Sequence, residues 1–165
     1  MKDTRRVRAV QADPAIETAL SATRQLHAAT EELLDAAAER YGINRNDLRC
    51  LEILDREGPM QPGRLAQTSG LSPAAITKVL DRLEQAGYVI RMGQGADRRT
   101  RQVRTSDRHA RKRRDTWQPV VAAATTVLAQ LSPPQLDLLA TTLTDLAQAN
   151  RESAQRLRQS EPPRV

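Results

Sequence analysis

Closely spaced helix boundaries in the middle of the chain constrain its fold more than any other feature. Pro62 suits the first turn of a helix, and Ser69-Gly70 ends that helix after about two turns. Ser72-Pro73 then supplies an N-cap and a first helical residue for a second helix, which Gly87 ends. Two short helices joined by a tight turn that contains glycine predict a helix-turn-helix over about residues 61–86.

A β-hairpin is predicted directly after the second of these helices. Tyr88 to Met92 has strand propensity, Gly93 to Asp97 has turn propensity, and Arg101 to Thr105 returns with approximate alternation. A two-stranded hairpin behind a helix-turn-helix makes a winged helix. The wing is expected at about residues 88–106, and the whole winged helix-turn-helix at about residues 43–107.

Apolar residues recur at helical spacing on both sides of the winged helix. A long helix is predicted at about residues 14–41, and further helices at about residues 107–158. Their apolar surface exceeds what a winged helix can cover, so we expect them to form a homodimer. The predicted fold class is mainly α: a winged helix-turn-helix with a two-stranded β-wing and long N- and C-terminal dimerisation helices. Residues 1–13 are expected to be a flexible basic arm, and residues 159–165 a frayed tail.

Positive charge is concentrated in one segment of the chain. The 165 residues include 26 Lys and Arg against 20 Asp and Glu, a formal net charge of +6. Ten of these basic residues but only two of the acidic ones lie between Arg91 and Arg114. Because concentrated charge repels itself, this segment predicts a polyanionic partner. A solvated basic surface is the alternative interpretation.

Membrane, metal and enzyme functions find little support in the sequence. Apolar runs are short and the charged N-terminus has no apolar stretch behind it, so we expect a cytoplasmic protein without membrane contact. Two His and one Cys make no zinc-like cluster, and the glycine patterns of dinucleotide loops and hydrolase elbows are missing. His27, Glu31 and Asp35 share one helix face, but acids beside an apolar stripe are usually its solvated edge. We therefore expect no enzymatic activity, no cofactor and no metal site.

Two segments carry a more specific pattern, in order and at matching spacing. Leu71 to Arg91 contains a recognition-helix sequence that continues into Asp-Arg-Leu-Glu, and Asp97 to Ser106 contains Asp-x-Arg in the wing. Over about residues 14–150 the chain resembles the MarR family of winged helix-turn-helix transcriptional regulators, the multiple-antibiotic-resistance regulator type. Two departures from the family pattern are Thr105-Ser106 in place of Leu-Thr, and His109 in place of a common glycine.

The resemblance implies a sequence-specific regulator of transcription that binds double-stranded DNA. Such proteins act as homodimers on an inverted repeat, and repression is the family's default output. The second helix of the helix-turn-helix fits the major groove, and the arginine-loaded wing suits the minor groove or flanking phosphates. The residues expected to contact DNA are Ser72, Pro73, Ala74, Thr77, Lys78, Arg82, Asp97, Arg98, Arg99 and Arg101.

These residues are expected to differ in role. Ser72 at the N-cap leaves backbone amides facing a phosphate, while Thr77 and Lys78 reach a base or a phosphate. Arg82, one turn later, is expected to hold the DNA backbone, and Arg99 is by resemblance the groove or phosphate contact of the wing. Solvation of a surface helix is the alternative for the polar residues of the recognition helix.

The resemblance also implies a small anionic or aromatic effector, bound between the dimerisation helices and the winged helix. The candidate residues are His27, Tyr41, Arg49 and Trp117, and each has an alternative as a packing or exposed residue. Cys50 is a candidate oxidation sensor, with an inert core thiol as the alternative.

One other function class stays open at this point. The chain is alternatively a helical protein-interaction module whose winged helix binds a protein partner. An interaction module has no need of a basic wing tip, and only binding to a polyanion depends steeply on salt. The basic wing tip favours DNA as the partner, and the salt dependence of binding would distinguish the two functions.

Overall fold

Helices dominate the structure. The computed structural model describes residues 13–92 and 102–160, which form six α-helices, a short 3₁₀-helix and one two-stranded antiparallel sheet. The chain divides into two compact units, Met1–Arg111 and Lys112–Val165. Within the described residues, no helix is long and apolar enough to cross a membrane.

The first helix, α1, runs from Pro14 to Tyr41 and is bounded by local signals. Asp13 Oδ1 accepts a hydrogen bond from the Ala15 amide at 2.9 Å, and Gly42 ends the helix in the left-handed conformation with φ 70°. Ile16 and Leu20, in its first half, are exposed. The buried residues of α1 all lie in its last two turns: Ala37, Ala38 and Tyr41.

Three shorter helices form the core of the first unit. They are α2 (Arg45–Glu57), α3 (Pro62–Ser69) and α4 (Pro73–Gln85). Each contributes an apolar stripe to a common interior, because apolar residues at three- and four-residue spacing fall on one face of a helix. The largest fully buried apolar side chains of these helices are Leu48, Leu51, Leu54, Leu65, Ile76, Val79, Leu80 and Leu83.

A small sheet closes this core. Strand β1 (Val89–Met92) pairs antiparallel with β2 (Gln102–Thr105), with Val89 opposite Thr105. Met60, between α2 and α3, adds an isolated bridge to Val103, with N···O distances of 3.1 and 2.8 Å. The stem of the wing is therefore tied to the helical core through backbone hydrogen bonds.

Two long helices account for most of the remaining chain. A 3₁₀-helix at Asp107–His109 leads into α5 (Ala110–Leu128), and α6 spans Pro133–Gln159. A capping box starts α6, where Gln135 Oε1 accepts a hydrogen bond from the Ser132 amide at 2.8 Å. Neither α5 nor α6 contains a buried residue.

The predicted fold class is confirmed, with small differences at the wing. The first strand begins at Val89, one residue later than the predicted wing. Tyr88 lies outside the strand because its amide donates to the Leu83 carbonyl at 2.8 Å, which closes the end of α4. The side chain of Tyr88 points into the core, where its hydroxyl donates to the Tyr41 carbonyl at 2.8 Å.

The Gly87→Ala variant is expected to be destabilised by about 1–3 kcal/mol. Gly87 has φ 76°, and an added Cβ would lie 2.9 Å from Cδ and Nη1 of Arg108. The new methyl group therefore meets an unfavourable backbone conformation, and the exposed side chain of Arg108 has to move aside. The free energy of unfolding, measured by urea titration, checks this expectation.

The matched control is Gly63→Ala in α3, where an added Cβ meets nothing within 4 Å. Alanine costs less backbone entropy than glycine in a helix, so this variant is expected to gain about 0.4–1 kcal/mol. Equal unfolding free energies for the two variants would contradict the role given to Gly87.

Candidate nucleic-acid interface

The turn between α3 and α4 leaves the start of α4 exposed. Gly70 ends α3 with φ 71°, and Ser72 follows in an extended conformation as the N-cap of α4. Ser72 Oγ accepts a hydrogen bond from the Ala75 amide at 3.2 Å. Ser72, Pro73 and Ala74 are exposed, so the positive end of the helix dipole faces solvent.

The two faces of α4 differ sharply in burial. Ile76 and Leu83 lie on the face that packs into the core, while Thr77 and Lys78 lie on the exposed face. Thr77 Oγ1 donates to the Pro73 carbonyl at 3.1 Å. The hydroxyl proton of Thr77 is therefore used within the helix, and its oxygen lone pairs and methyl group are left for an outside partner.

Arg82 has a partner that was not predicted. Its Nε donates to Asp47 Oδ2 at 2.9 Å, and its Nη2 donates to Asp47 Oδ1 at 2.6 Å. Asp47 is only 2% exposed, and the hydrogen bond to it raises the pKa of Arg82. The expectation that Arg82 holds the DNA backbone overlooked this intramolecular pair, which commits two of the three guanidinium nitrogens.

The sequence did contain a signal for this ion pair. Asp47, Leu51 and Leu54 follow i, i+4, i+7 spacing, so the carboxylate lies on the buried stripe of α2. A buried carboxylate requires a cation or several hydrogen bonds. The identity of the cation follows only from the packing of α2 on α4.

The stem of the wing carries less free charge than the sequence indicates. Arg91 Nη2 donates to Asp81 Oδ1, and Arg91 Nη1 donates to Glu84 Oε2, both at 2.6 Å. Both acids belong to α4 and precede the basic segment that starts at Arg91. Arg104 Nη1 lies 3.7 Å from Asp107 Oδ2 and donates to the Thr105 carbonyl at 3.0 Å. Arg91 is thus a brace between β1 and α4.

The tip of the wing lies outside the described residues. The predicted contacts there are Asp97, Arg98, Arg99 and Arg101, and they remain predictions. The described strands β1 and β2 lie directly before and after this segment.

His109, where the family pattern has glycine, packs on the exit of α4. Its Nε2 lies 3.0 Å from the Ala86 carbonyl oxygen, and its ring centroid lies 4.3 Å from that of Tyr88. The Tyr88 ring in turn stacks on Tyr41 at 5.5 Å. The imidazole therefore extends an aromatic cluster that joins the end of α1 to the base of the wing.

The three effector candidates of the first unit, His27, Tyr41 and Arg49, do not line one cavity in the structure. Arg49 lines a cavity of about 400 Å³ between α1 and α2, together with Leu34, Leu48 and Glu52. Burial raises the pKa of the Glu52 carboxyl, against the opposing effect of Arg45 and Arg56. The other two candidates of this unit do not line the cavity, since His27 is exposed and Tyr41 is a buried core residue. Trp117 belongs to the second unit.

The acids beside the apolar stripe of α1 pair with a cation. Arg45 Nη2 lies 2.8 Å from Glu31 Oε2, and Arg45 Nε lies 3.1 Å from Asp35 Oδ1. These contacts join α1 to the first turn of α2. Among residues 13–92 and 102–160, no group of three His, Cys, Asp or Glu side chains is arranged to hold a metal ion.

Cys50 has the properties of a core thiol. The residue is 0% exposed, and burial raises its pKa to about 11 despite a hydrogen bond with Ser69 that lowers it. Oxidation sensing requires an accessible thiolate. The environment of Cys50 therefore opposes the oxidation-sensor hypothesis and agrees with the inert alternative.

Comparisons with known proteins match this architecture. A family model described as the MarR family matches residues 43–100. The chain is 30% identical over 143 residues to YcgE of Bacillus subtilis (strain 168), described as an uncharacterized HTH-type transcriptional regulator, covering 87% of this chain and 93% of that protein. The chain belongs to the MarR family.

Solved structures show the same fold. RV1404 from Mycobacterium tuberculosis matches with a TM-score of 0.61 and 25% identity, covering 81% of this chain and 90% of that one. A MarR family protein from Bacillus stearothermophilus matches with a TM-score of 0.64 and 20% identity, covering 83% and 96%. Proteins of the MarR family are DNA-binding transcriptional regulators, typically dimeric, and the family is not one of enzymes.

Cys50 of this MarR-family protein is expected to be chemically inert in the folded state. A pKa of about 11 leaves about 100-fold less thiolate at neutral pH than an ordinary cysteine has, and burial blocks access. Labelling by Ellman's reagent should therefore be at least about 100-fold slower in native protein than in guanidinium-unfolded protein. The control is the Cys50→Ala variant. The DNA affinities of the wild type and of this variant should both be unchanged by peroxide treatment. Native labelling at the unfolded rate would overturn this expectation.

Proposed function

We propose that this MarR-family protein is a homodimeric repressor that recognises a specific inverted repeat in double-stranded DNA. The observation that carries the proposal is the exposed first half of α4. A capped helix start precedes Ala74, Thr77 and Lys78 on one open face, while the opposite face is buried in the core. A helix held in this way fits the major groove, where base edges present distinguishable donors and acceptors.

Within α4, two kinds of contact are proposed. The backbone amides of Ser72 and Ala74, on either side of Pro73, face a phosphate, because the N-terminus of a helix favours an anion. Proline has no amide proton, so the donors come from the residues around it. Thr77 and Lys78 reach base edges, Thr77 through its methyl group or oxygen and Lys78 through its ammonium.

The wing is proposed to make the second contact with DNA. Arg98 and Arg99 would enter the minor groove, where a narrow groove attracts a guanidinium most strongly. Asp97 would orient a neighbouring arginine, and Arg101 would meet a flanking phosphate. The brace between Arg91 and α4 supports this arrangement, because it fixes the stem of the wing against the helix that we place in the major groove.

Exposed apolar residues support the homodimer. They lie on α1, α5 and α6, where a solvated helix would carry polar side chains. A two-fold axis would place two α4 helices about 34–36 Å apart and so select an inverted repeat. The exposed large apolar residues of these helices are Ile16, Leu20, Leu26, Val121, Val127, Leu128, Leu138, Leu143 and Leu157.

Release by a small effector completes the proposal. A dimer bound across a promoter blocks polymerase, and a ligand that binds only the free form would lift the block. The cavity between α1 and α2 supports a small anionic or aromatic ligand, since Leu34 and Leu48 supply apolar wall and Arg49 supplies a cation beside the carboxylates of Glu31 and Glu52.

A binding selection tests the function as a whole. Purified protein is used to recover duplexes from genomic fragments that include the region upstream of its own gene, over a series of salt concentrations. One inverted repeat should emerge, and a dimer that neutralises about eight phosphates should give a log–log salt slope near −7. Failure to bind DNA at low salt would overturn the proposal in favour of a protein-interaction module.

Lys78→Ala is expected to weaken binding to the recovered duplex by at least about 30-fold, since a base contact worth about 1 kcal/mol or more is lost in each protomer. The matched control is Arg24→Ala, which removes the same charge from an exposed position on α1. Fluorescence anisotropy with labelled duplex measures both. Equal losses for the two variants would indicate a general charge effect and contradict a specific role for Lys78.

Leu143→Glu is expected to raise the dimer dissociation constant by at least about 30-fold, since it removes apolar burial and places a charge in the interface. Leu143 lies in an apolar groove of about 360 Å³, together with Leu128, Leu136 and Leu139. Sedimentation velocity over a concentration series measures the constant. The control, Gln155→Glu, adds the same charge to an exposed site of α6. A Leu143→Glu variant that dimerises like the wild type would exclude this groove from the interface.

A further inference from the structure

We infer that Asp47 and Arg82 are positioning residues for DNA recognition. The pair fixes α4 on α2, and Arg82 acts on DNA through this contact and not as a ligand of a phosphate. The inference rests on the proposed function, because it takes α4 as the helix that reads the DNA.

The geometry of the pair is directional. Two parallel hydrogen bonds, 2.9 and 2.6 Å long, join one edge of the guanidinium to both carboxylate oxygens. Such a fork fixes the distance between the two groups and the plane that they share. Apolar contacts between α2 and α4 have no such direction. The fork therefore restricts rotation of α4 about its own axis and sliding of α4 along α2.

Arg82 is placed where this restriction matters for DNA. It follows Lys78 by four residues on α4, so the two side chains leave the helix on nearly the same side. A rotation of α4 that moves Arg82 away from Asp47 also turns Lys78 and Thr77 away from their positions. The fork thereby sets the orientation of the exposed face of α4.

The carboxylate end of the pair is held firmly. The Asp47 amide donates to Asn44 Oδ1 at 2.9 Å, so Asp47 sits in the capped first turn of α2. A negative charge there is stabilised by the positive end of the helix dipole. The Asp47 carboxylate is thus a fixed reference point to which α4 is attached.

The burial of Asp47 makes this carboxylate the preferred partner of Arg82. Asp47 is 2% exposed, whereas the side chain of Arg82 is 47% exposed. If Arg82 turned outward to a phosphate, an uncompensated carboxylate would remain in the core, which is strongly unfavourable. A solvent-exposed ion pair returns much less free energy than that. Arg82 therefore keeps Asp47 when the protein binds DNA.

Two single variants separate positioning from direct contact. Asp47→Asn keeps the Arg82 charge but breaks the ion pair, and Arg82→Gln removes the charge. The probes are the duplex that wild-type protein recovers from a random pool of about 30-base-pair duplexes, and a duplex of the same length with scrambled sequence. Affinity is measured over a salt series, and circular dichroism establishes that each variant is folded at the assay temperature. Glu57→Gln is the control, since it makes the same charge change as Asp47→Asn at an exposed site of α2.

Both variants are expected to lose at least about 10-fold in affinity for the recovered duplex, comparable to one good base contact. Affinity for the scrambled duplex should stay within about 3-fold of wild type, and the salt slope should be unchanged, because no phosphate contact is lost. The double variant should bind no more weakly than the weaker single variant. Glu57→Gln should bind like the wild type.

The opposite pattern would overturn the inference. A phosphate contact by Arg82 would make the slope of Arg82→Gln shallower by about 0.9 per protomer and leave Asp47→Asn with full affinity. Recovery of no preferred duplex by the wild type is a different result, which counts against the proposed function before any variant is compared.

A third variant keeps the test decisive if the single variants unfold. Asp47→Leu combined with Arg82→Met replaces the ion pair by apolar side chains of similar volume, an exchange that buried pairs often tolerate without loss of stability. In the folded double variant, the ratio of the affinities for the recovered and the scrambled duplex should be at least about 10-fold lower than in the wild type. Wild-type discrimination by this variant would show that the fork does not position α4.

Discussion

The ion pair between Asp47 and Arg82 is the contact on which the geometry of the winged helix depends. Removing Arg82 leaves the buried Asp47 carboxylate without its cation, although the exposed half of the guanidinium keeps the cost below the roughly 3–5 kcal/mol of a fully buried pair. The neighbouring Arg45 joins the same turn of α2 to Glu31 and Asp35 of α1, but these groups are exposed and such pairs are worth about 0–1 kcal/mol. The first turn of α2 therefore holds α4 strongly and α1 weakly.

Positive and negative charges lie in different halves of α4, which the net charge of the chain does not show. Asp81 and Glu84, in its second half, are used to hold Arg91 of β1. Lys78, in its first half, is exposed together with the positive end of the helix dipole. A DNA phosphate that approaches the first half of α4 thus meets positive potential, while the acids nearby are already paired with an arginine. The acidic pair of α4 therefore holds the stem of the wing, and under the proposed function its charge is offset by Arg91 when DNA approaches.

Local signals predicted most of the fold, and long-range packing explains what they missed. Ser72-Pro73 and Gly42 set helix ends through contacts within a few residues, so their effect is readable from the chain. Asp47 and Arg82 are 35 residues apart, and only the crossing of α2 and α4 selects one as partner of the other. Tyr41 was an effector candidate with packing on an apolar stripe as its alternative, and the structure buries that stripe at this point. A periodic pattern shows which face is apolar but not what covers it.

The two units differ in what they bury, and this difference bears on assembly. The first has a continuous core, whereas the described part of the second, residues 112–160, contains no buried residue. Ordering a residue costs about 1–2 kcal/mol of backbone entropy, which a helical pair without a core offsets poorly. Association of a second copy would bury the exposed apolar side chains of α5 and α6 and supply the missing stabilisation. Folding of the C-terminal helices and dimerisation would then be one linked equilibrium, dependent on protein concentration. In that case the spacing of the two recognition helices is set by the same apolar contacts that stabilise the fold.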